Sequence, residues 1–168
     1  MKSPLIRLNA IKPSHKDGAG GPTITPSAKS LGEGIAATAK KLSELRVLVV
    51  DDNPDIAELF KMYMRKSVKS VDTAETASEA LSKIGEAAKN GRYDVVLCDI
   101  TLDSGKSGLD VEKAAKAVSP STIFVFATGY KAEDFAKRFP NQQYPETVLV
   151  KPVRKDQLLE FLGRLCDS

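Results

Sequence analysis

Arg46-Val47-Leu48-Val49-Val50-Asp51-Asp52-Asn53 is where the architecture of this chain shows most plainly. Four consecutive apolar residues, three of them β-branched, stop at two adjacent carboxylates. Such a run fits a strand buried on both faces, as in a parallel sheet, better than an alternating, half-exposed strand. Asn53-Pro54-Asp55 then opens a helix, with Asn53 as N-cap and Pro54 at the first helical position, where its missing N–H does no harm. Acids at the carboxyl end of a buried strand lie where open α/β sheets hold ligands. In isolation Asp51-Asp52 reads more simply as a turn before a helix. The strands downstream change that reading.

From Arg46 onward, strand and helix alternate five times. A helix from Pro54 to about Lys66 carries Ile56, Leu59, Phe60 and Tyr63 on one face. Val68 to about Asp72 is a more polar strand, as suits a sheet edge. Thr76-Ala77-Ser78-Glu79 caps the next helix, where Ala77, Ala80, Leu81, Ile84 and Ala88 keep the 3.6-residue period until Asn90-Gly91 ends it. Tyr93–Cys98 is the third strand and ends at Asp99; a helix over Leu109–Val118 follows a glycine-containing loop. Thr122–Ala127 is the fourth strand and ends at Thr128-Gly129; a short helix over Ala132–Phe139 is closed by Pro140. Thr147–Val150 is the fifth strand, ending at Lys151-Pro152, and the last helix spans Lys155–Leu165 with Leu158, Leu159, Leu162 and Leu165 inward. This alternation predicts an α/β domain, a doubly wound five-stranded parallel sheet of order 2-1-3-4-5 with helices on both faces.

The segment before Arg46 differs. Residues 1–29 hold four prolines, a Gly-Ala-Gly-Gly stretch and little periodic hydrophobicity, and read as a disordered tail. Ser30-Leu31-Gly32-Glu33 matches a capping box, and Ile35, Ala39, Leu42 and Leu45 recur at helical spacing, which predicts a linker helix over 30–45. Whether that helix packs on the domain, pairs with another helix or stays a solvated spacer is left open by the pattern. Residues 1–45 carry seven Lys and Arg against three Asp and Glu, so the formal +3 of the chain leaves −1 for residues 46–168. The folded part therefore gives no electrostatic footprint for nucleic acid.

At 168 residues one domain with a real core is expected. No apolar run approaches the roughly 20 residues that span a bilayer, and the N-terminus lacks the apolar segment of a secretory signal. A cytoplasmic protein without membrane insertion is expected. Cys98 and Cys166 have no CxxC or Cys/His partner, which argues against zinc or a disulfide framework. Cys98 reads as a small buried hydrophobe. The single histidine, His15, lies in the tail, so histidine-based acid–base catalysis has little support.

The chemistry emerges when strand ends are read together. Strand one ends in Asp51-Asp52, strand three in Asp99, strand four in Thr128 and strand five in Lys151. In the order 2-1-3-4-5 these strands are contiguous, and their carboxyl ends share one edge. Three carboxylates so close stay ionised only if a cation joins them. Hard oxygen ligands in small number suit Mg²⁺, which keeps several waters and takes substrate phosphate. An Asp carboxylate can attack phosphorus to form an acyl phosphate, with the metal and Lys151 neutralising the transferring group. Thr128 can donate to a phosphoryl oxygen only once one is present, and so senses the product.

Residues 46–168 resemble the receiver domain of two-component response regulators (CheY-like). Val-Val-Asp51-Asp52-Asn53, Val-Leu-Cys-Asp99-Ile, Ala-Thr128-Gly129 and Val-Lys151-Pro152 stand in that family's order and at its spacing. Each motif alone is weak, but the ordered set is specific. The resemblance implies that Asp99 is the phosphoacceptor, served by a histidine kinase or a histidine phosphotransfer protein. It implies that Asp52 and Asp99 bind Mg²⁺ directly, that the backbone carbonyl of Thr101 adds a ligand, and that Asp51 acts mainly through water. Lys151 would pair with the phosphoryl group, positioned by a cis bond to Pro152, and Thr101 and Tyr130 match positions that modulate phosphoryl lifetime.

The departures matter too. Receivers usually carry Tyr or Phe three residues before the lysine; here that position is Val148. Phe126-Ala127-Thr128-Gly129-Tyr130 resembles the FATGUY-type single-domain subgroup, which also lacks that aromatic. Asp103 replaces a common Pro, and the loop to Gly108 is about one residue longer than is usual in the family. Gly105-Lys106-Ser107 mimics a P-loop, but the required earlier glycine is Ile100. A haloacid-dehalogenase-type phosphatase would need a second acid where Thr101 stands. Since the chain ends at Ser168, just after the last helix, output through an unknown downstream protein or onward phosphotransfer is expected rather than through a DNA-binding domain. The expectation is of a signalling module that assists only its own phosphorylation and dephosphorylation. A receiver-fold binding module acting independently of phosphorylation is the alternative.

Overall fold

Apolar runs long enough to be covered on both sides make the centre of this molecule. The computed structural model describes residues 42–102, 105–145 and 147–167. Among them, strands β1 (Arg46–Val50), β2 (Ser70–Ala74), β3 (Val95–Cys98), β4 (Ile123–Thr128) and β5 (Val148–Val150) alternate with helices α1 (Pro54–Met64), α2 (Ala77–Asn90), α3 (Gly108–Val118), α4 (Ala132–Arg138) and α5 (Lys155–Cys166). The sheet has the order β2-β1-β3-β4-β5, and every pairing is parallel. This is the topology read from the sequence.

Successive residues of each strand feed opposite faces. Leu48, Val50, Val96, Cys98, Phe124 and Phe126 pack beneath α2, α3 and Phe135 of α4. Val47, Val49, Val95, Leu97, Val125 and Ala127 pack beneath α1 and α5, through Ala57, Phe60, Met64, Leu158 and Leu162. Helix starts follow the expected caps. The Asn53 side chain accepts from the Asp55 amide and Thr76 from the Glu79 amide. Ser107 and Asp110 form a reciprocal capping box at α3.

Several boundaries move for identifiable reasons. The second strand begins at Ser70, not Val68, because Arg46 pairs with Ser70. The Val68 amide instead donates to the Met64 carbonyl, and its buried side chain closes the end of α1. That same turn stops α1 at Met64, short of Lys66. The third and fifth strands start later than Tyr93 and Thr147, at Val95 and Val148, whereas β4 runs from Ile123 through Thr128. The buried face of α1 centres on Ala57, Phe60 and Met64; Leu59 is left exposed, as is Ala88 in the last turn of α2.

The tail 1–29 and residues 30–41 of the linker helix lie outside the described residues. Within the part that is described, Leu42 is helical and buried in the α1/α5 core. The chain has left the helix by Leu45, whose carbonyl accepts from the Lys69 and Ser70 amides and so already belongs to the β1–β2 pairing. Among the described residues, no helix is long and apolar enough to cross a membrane.

Candidate functional site

Every residue singled out at a strand end reaches the carboxyl edge of the sheet. At β1 the ladder continues one residue, with the Asp51 amide donating to the Ala74 carbonyl at 3.1 Å. Asp51 is 2 % exposed. Its Oδ1 accepts from the Asn53 amide at 2.9 Å, which ties the acid to the N-cap of α1. At β3 the Asp99 amide donates to the Val50 carbonyl at 2.8 Å, which sets the two acids side by side. The Thr101 amide donates to Asp99 Oδ1 at 3.0 Å.

Lys151 closes the site from the other side of the sheet. Its own amide donates to the Thr128 carbonyl at 2.8 Å, so the β4–β5 pairing places it. Lys151 Nζ lies 2.7 Å from Asp51 Oδ2 and 2.7 Å from Asp99 Oδ2. Burial alone would lower the lysine's pKa, but hydrogen bonds and charge from Asp51 and Asp99 outweigh it and raise it above its ordinary value. The lysine stays a cation at physiological pH. The Lys151–Pro152 peptide bond is cis, as the family resemblance implied.

One carboxylate oxygen from each of Asp51, Asp52 and Asp99 lies within 4.8 Å of the others. Set against Lys151, three acids leave a formal charge of −2, the deficit a divalent cation fills. The donor set is hard oxygen throughout, and Mg²⁺ bonds of about 2.1 Å span oxygen pairs up to about 4.2 Å. In donor chemistry and charge the set fits Mg²⁺, with one or two acids bound directly and water completing the shell. Asp51 already serves Asn53 and Lys151 with its two oxygens, which agrees with a role through water. For Thr101 the contact described is through its amide, on the rim of the site.

Thr128, at the end of β4, is fully buried, and its Oγ1 accepts from the Tyr130 amide at 3.2 Å. Cys98, directly before the phosphoacceptor candidate, is also fully buried, and burial pushes its thiol far above the ordinary range. It is a core residue. Lys106 is exposed beside Gly105, which takes a left-handed φ of 75°. Beside Lys151, an apolar groove of about 540 Å³ opens between α1 and the β5–α5 connection, lined by Ile56, Leu59, Phe60, Tyr63 and the run Lys151–Arg154.

Gly108 has a role that its sequence context does not signal. A Cβ built on Gly108 would fall 2.2 Å from the Asp99 carbonyl oxygen and 3.0 Å from Cys98 Sγ. The Gly108 amide donates to the Ile100 carbonyl at 2.8 Å, so α3 begins with its backbone pressed on that of Asp99. A glycine at a helix start signals nothing by itself; only the close approach gives it meaning.

The family model described as the response regulator receiver domain matches residues 47–162. The transcriptional regulatory protein DltR of Streptococcus agalactiae is 32% identical over 115 residues, 68% of this chain and 49% of that protein. The transcriptional regulatory protein ResD of Bacillus subtilis is 36% identical over 110 residues, 66% of this chain and 43% of that protein. The chain thus spans about half the length of the curated relatives it matches. Among solved structures, a response regulator receiver domain protein (CheY-like) from Methanospirillum hungatei has a TM-score of 0.62 at 28% identity, covering 74% of this chain and 95% of that one.

Proposed function

The chain belongs to the response regulator receiver family, and on that premise we propose that Asp99 takes a phosphoryl group from a phosphohistidine donor and that the product switches protein–protein contacts. The observation that carries this reading is Lys151 Nζ standing 2.7 Å from the carboxylates of both Asp51 and Asp99. A carboxylate oxygen of Asp99 attacks phosphorus in line, a P–O bond forms, and the P–N bond to the donor imidazole breaks, its electron pair returning to the ring. Positioning and electrostatics dominate such transfers. Lys151 exchanges its hold on Asp99 for the equatorial phosphoryl oxygens, and the Thr101 amide keeps the carboxylate oriented. Asp51, Asp52 and Asp99 would hold Mg²⁺, which when bound neutralises charge on the transferring group.

Once phosphate sits on Asp99, the Thr128 hydroxyl can donate to it, and the surface around β4 and β5 responds. The groove between α1 and the β5–α5 connection, next to Lys151, suits docking of a histidine kinase or phosphotransfer protein. In this reading the chain works in the cytoplasm and catalyses nothing beyond its own phosphorylation and hydrolysis.

Asp99→Asn is expected to lose acid-labile labelling by a small phosphodonor while keeping its circular dichroism spectrum. Retained labelling overturns the assignment. A second reading, a binding module indifferent to phosphate, draws on Val148, where an aromatic reporter would otherwise stand. Equal partner affinity with and without beryllofluoride would favour it.

A further inference from the structure

Val148 is half-buried and offers no hydrogen-bonding side chain, yet the phosphate-sensing end of β4 is wired to an aromatic ring elsewhere. The Tyr130 amide donates to Thr128 Oγ1 at 3.2 Å. The carbonyl of the same Tyr130 accepts from the Tyr144 hydroxyl at 3.0 Å, across 14 residues of chain. The Tyr144 ring stands edge-on to Phe135, with centroids 5.2 Å apart. Phe135 lies 4.8 Å from Phe139, which meets Tyr130 edge-on at 6.3 Å. Four rings therefore form one cluster beneath residues 130–144, and Val148 packs against the same core. On its outer side Tyr144 lines a cavity of about 240 Å³ with Leu109, Glu112, Gln143 and Pro145. Burial raises the Tyr144 hydroxyl above its ordinary pKa, so it remains a donor.

Resting on the receiver reading above, we propose that Tyr144 is the aromatic reporter of this domain, a switch-positioning residue coupled to Thr128 through the Tyr130 backbone. The Thr128 hydroxyl has one proton to give. Its side chain turns toward a phosphoryl oxygen between staggered rotamers, not by a continuous drift. That turn withdraws the acceptor of the Tyr130 amide and shifts the Tyr130 carbonyl, which is where Tyr144 is held. The Tyr144 ring then leaves its seat on Phe135 for the adjoining cavity, and Pro145, which lines that cavity, moves with it. Val148 is small enough to let this pass without moving itself.

The test uses the full chain carrying 3-fluorotyrosine, whose four tyrosines (63, 93, 130 and 144) are assigned by single Tyr→Phe variants. Fluorine spectra are recorded with Mg²⁺, with and without beryllofluoride. The Tyr144 resonance is expected to shift on addition of the mimic while that of Tyr93, at the opposite end of β3, stays in place. In Thr128→Val, with beryllofluoride raised until the bound signal matches the parent's, the Tyr144 shift is expected to disappear. Tyr144→Phe keeps the ring and loses the donor, and is expected to move the Tyr130 resonance without any mimic, in the direction the mimic moves it in the parent. A stationary Tyr144, a shift that survives Thr128→Val, or an unmoved Tyr130 in Tyr144→Phe overturns the proposal. If no bound beryllofluoride signal appears in the parent, the receiver reading falls and takes this proposal with it.

Discussion

Gly108→Ala is the substitution that most directly tests how the fold holds Asp99. By helix propensity alone it should help, since Gly→Ala inside a helix gains up to about 1 kcal/mol. The site says otherwise. The new Cβ would lie 2.2 Å from the Asp99 carbonyl oxygen and 3.1 Å from its carbon. A relaxed C···O contact is about 3.3 Å, so the two backbones must part by about 1.1 Å. Neither side yields freely. The Asp99 amide is bound to the Val50 carbonyl at 2.8 Å, and the Gly108 amide is bound to the Ile100 carbonyl at 2.8 Å. Forced overpacking of this kind costs about 1–3 kcal/mol, which outweighs the propensity gain. A displacement of about 1 Å at the reacting carboxylate should also slow phosphorylation about 10²-fold. Urea unfolding gives the first quantity and the rate of acid-labile labelling from acetyl phosphate gives the second. Gly85→Ala is the control, because a Cβ there meets nothing within 4 Å. It lies inside α2 and should stabilise by about 0.5–1 kcal/mol with the labelling rate unchanged. A Gly108→Ala protein with the parent's urea midpoint and labelling rate would show that the Asp99 backbone does not need this clearance.

Three further outcomes are expected. Leu42→Ala, which removes a side chain buried against the α1/α5 core, should cost about 2–3 kcal/mol in urea unfolding, and a loss under about 0.5 kcal/mol would mean the chain before β1 does not anchor the domain. Hydrogen bonds from the Ser107 amide and hydroxyl hold the Asp110 carboxyl below its ordinary range, so the unfolded chain takes up that proton first as pH falls. The capping contribution is therefore whole above about pH 4 and fades as pH drops through the lower folded value; Asp110→Asn should flatten the acid limb of stability against pH, and an unaltered limb would count against the capping box. Mg²⁺ at about ten times its dissociation constant should raise unfolding stability by about 1.4 kcal/mol, and Asp52→Asn should lose that increment if the three acids hold the ion.

Much of this molecule is legible locally. Parallel strands covered on both faces demand unbroken apolar runs, so Val47–Val50, Val95–Cys98 and Ile123–Ala127 announce themselves, as do the acids, hydroxyl and lysine that interrupt them. The caps at Asn53, Thr76 and Ser107 each depend on residues within one turn, which is why the helix starts read well. Edges read less well. Val68 looks like strand because it is apolar, but it serves the end of α1 instead, and no local pattern distinguishes the two uses.

The alternation of elements, the order of the strands and the side chains that end them follow from the residue pattern alone. It took the folded molecule to show that Lys151 meets Asp51 and Asp99 across 100 and 52 residues of chain, each at 2.7 Å. The same holds for the clearance that Gly108 gives Asp99, and for the bond from Tyr144, not from a residue of β5, to the loop after Thr128. The difference is one of range. Periodicity and capping are set by neighbours within a turn or a pleat, whereas these contacts depend on how separate strands and helices pack.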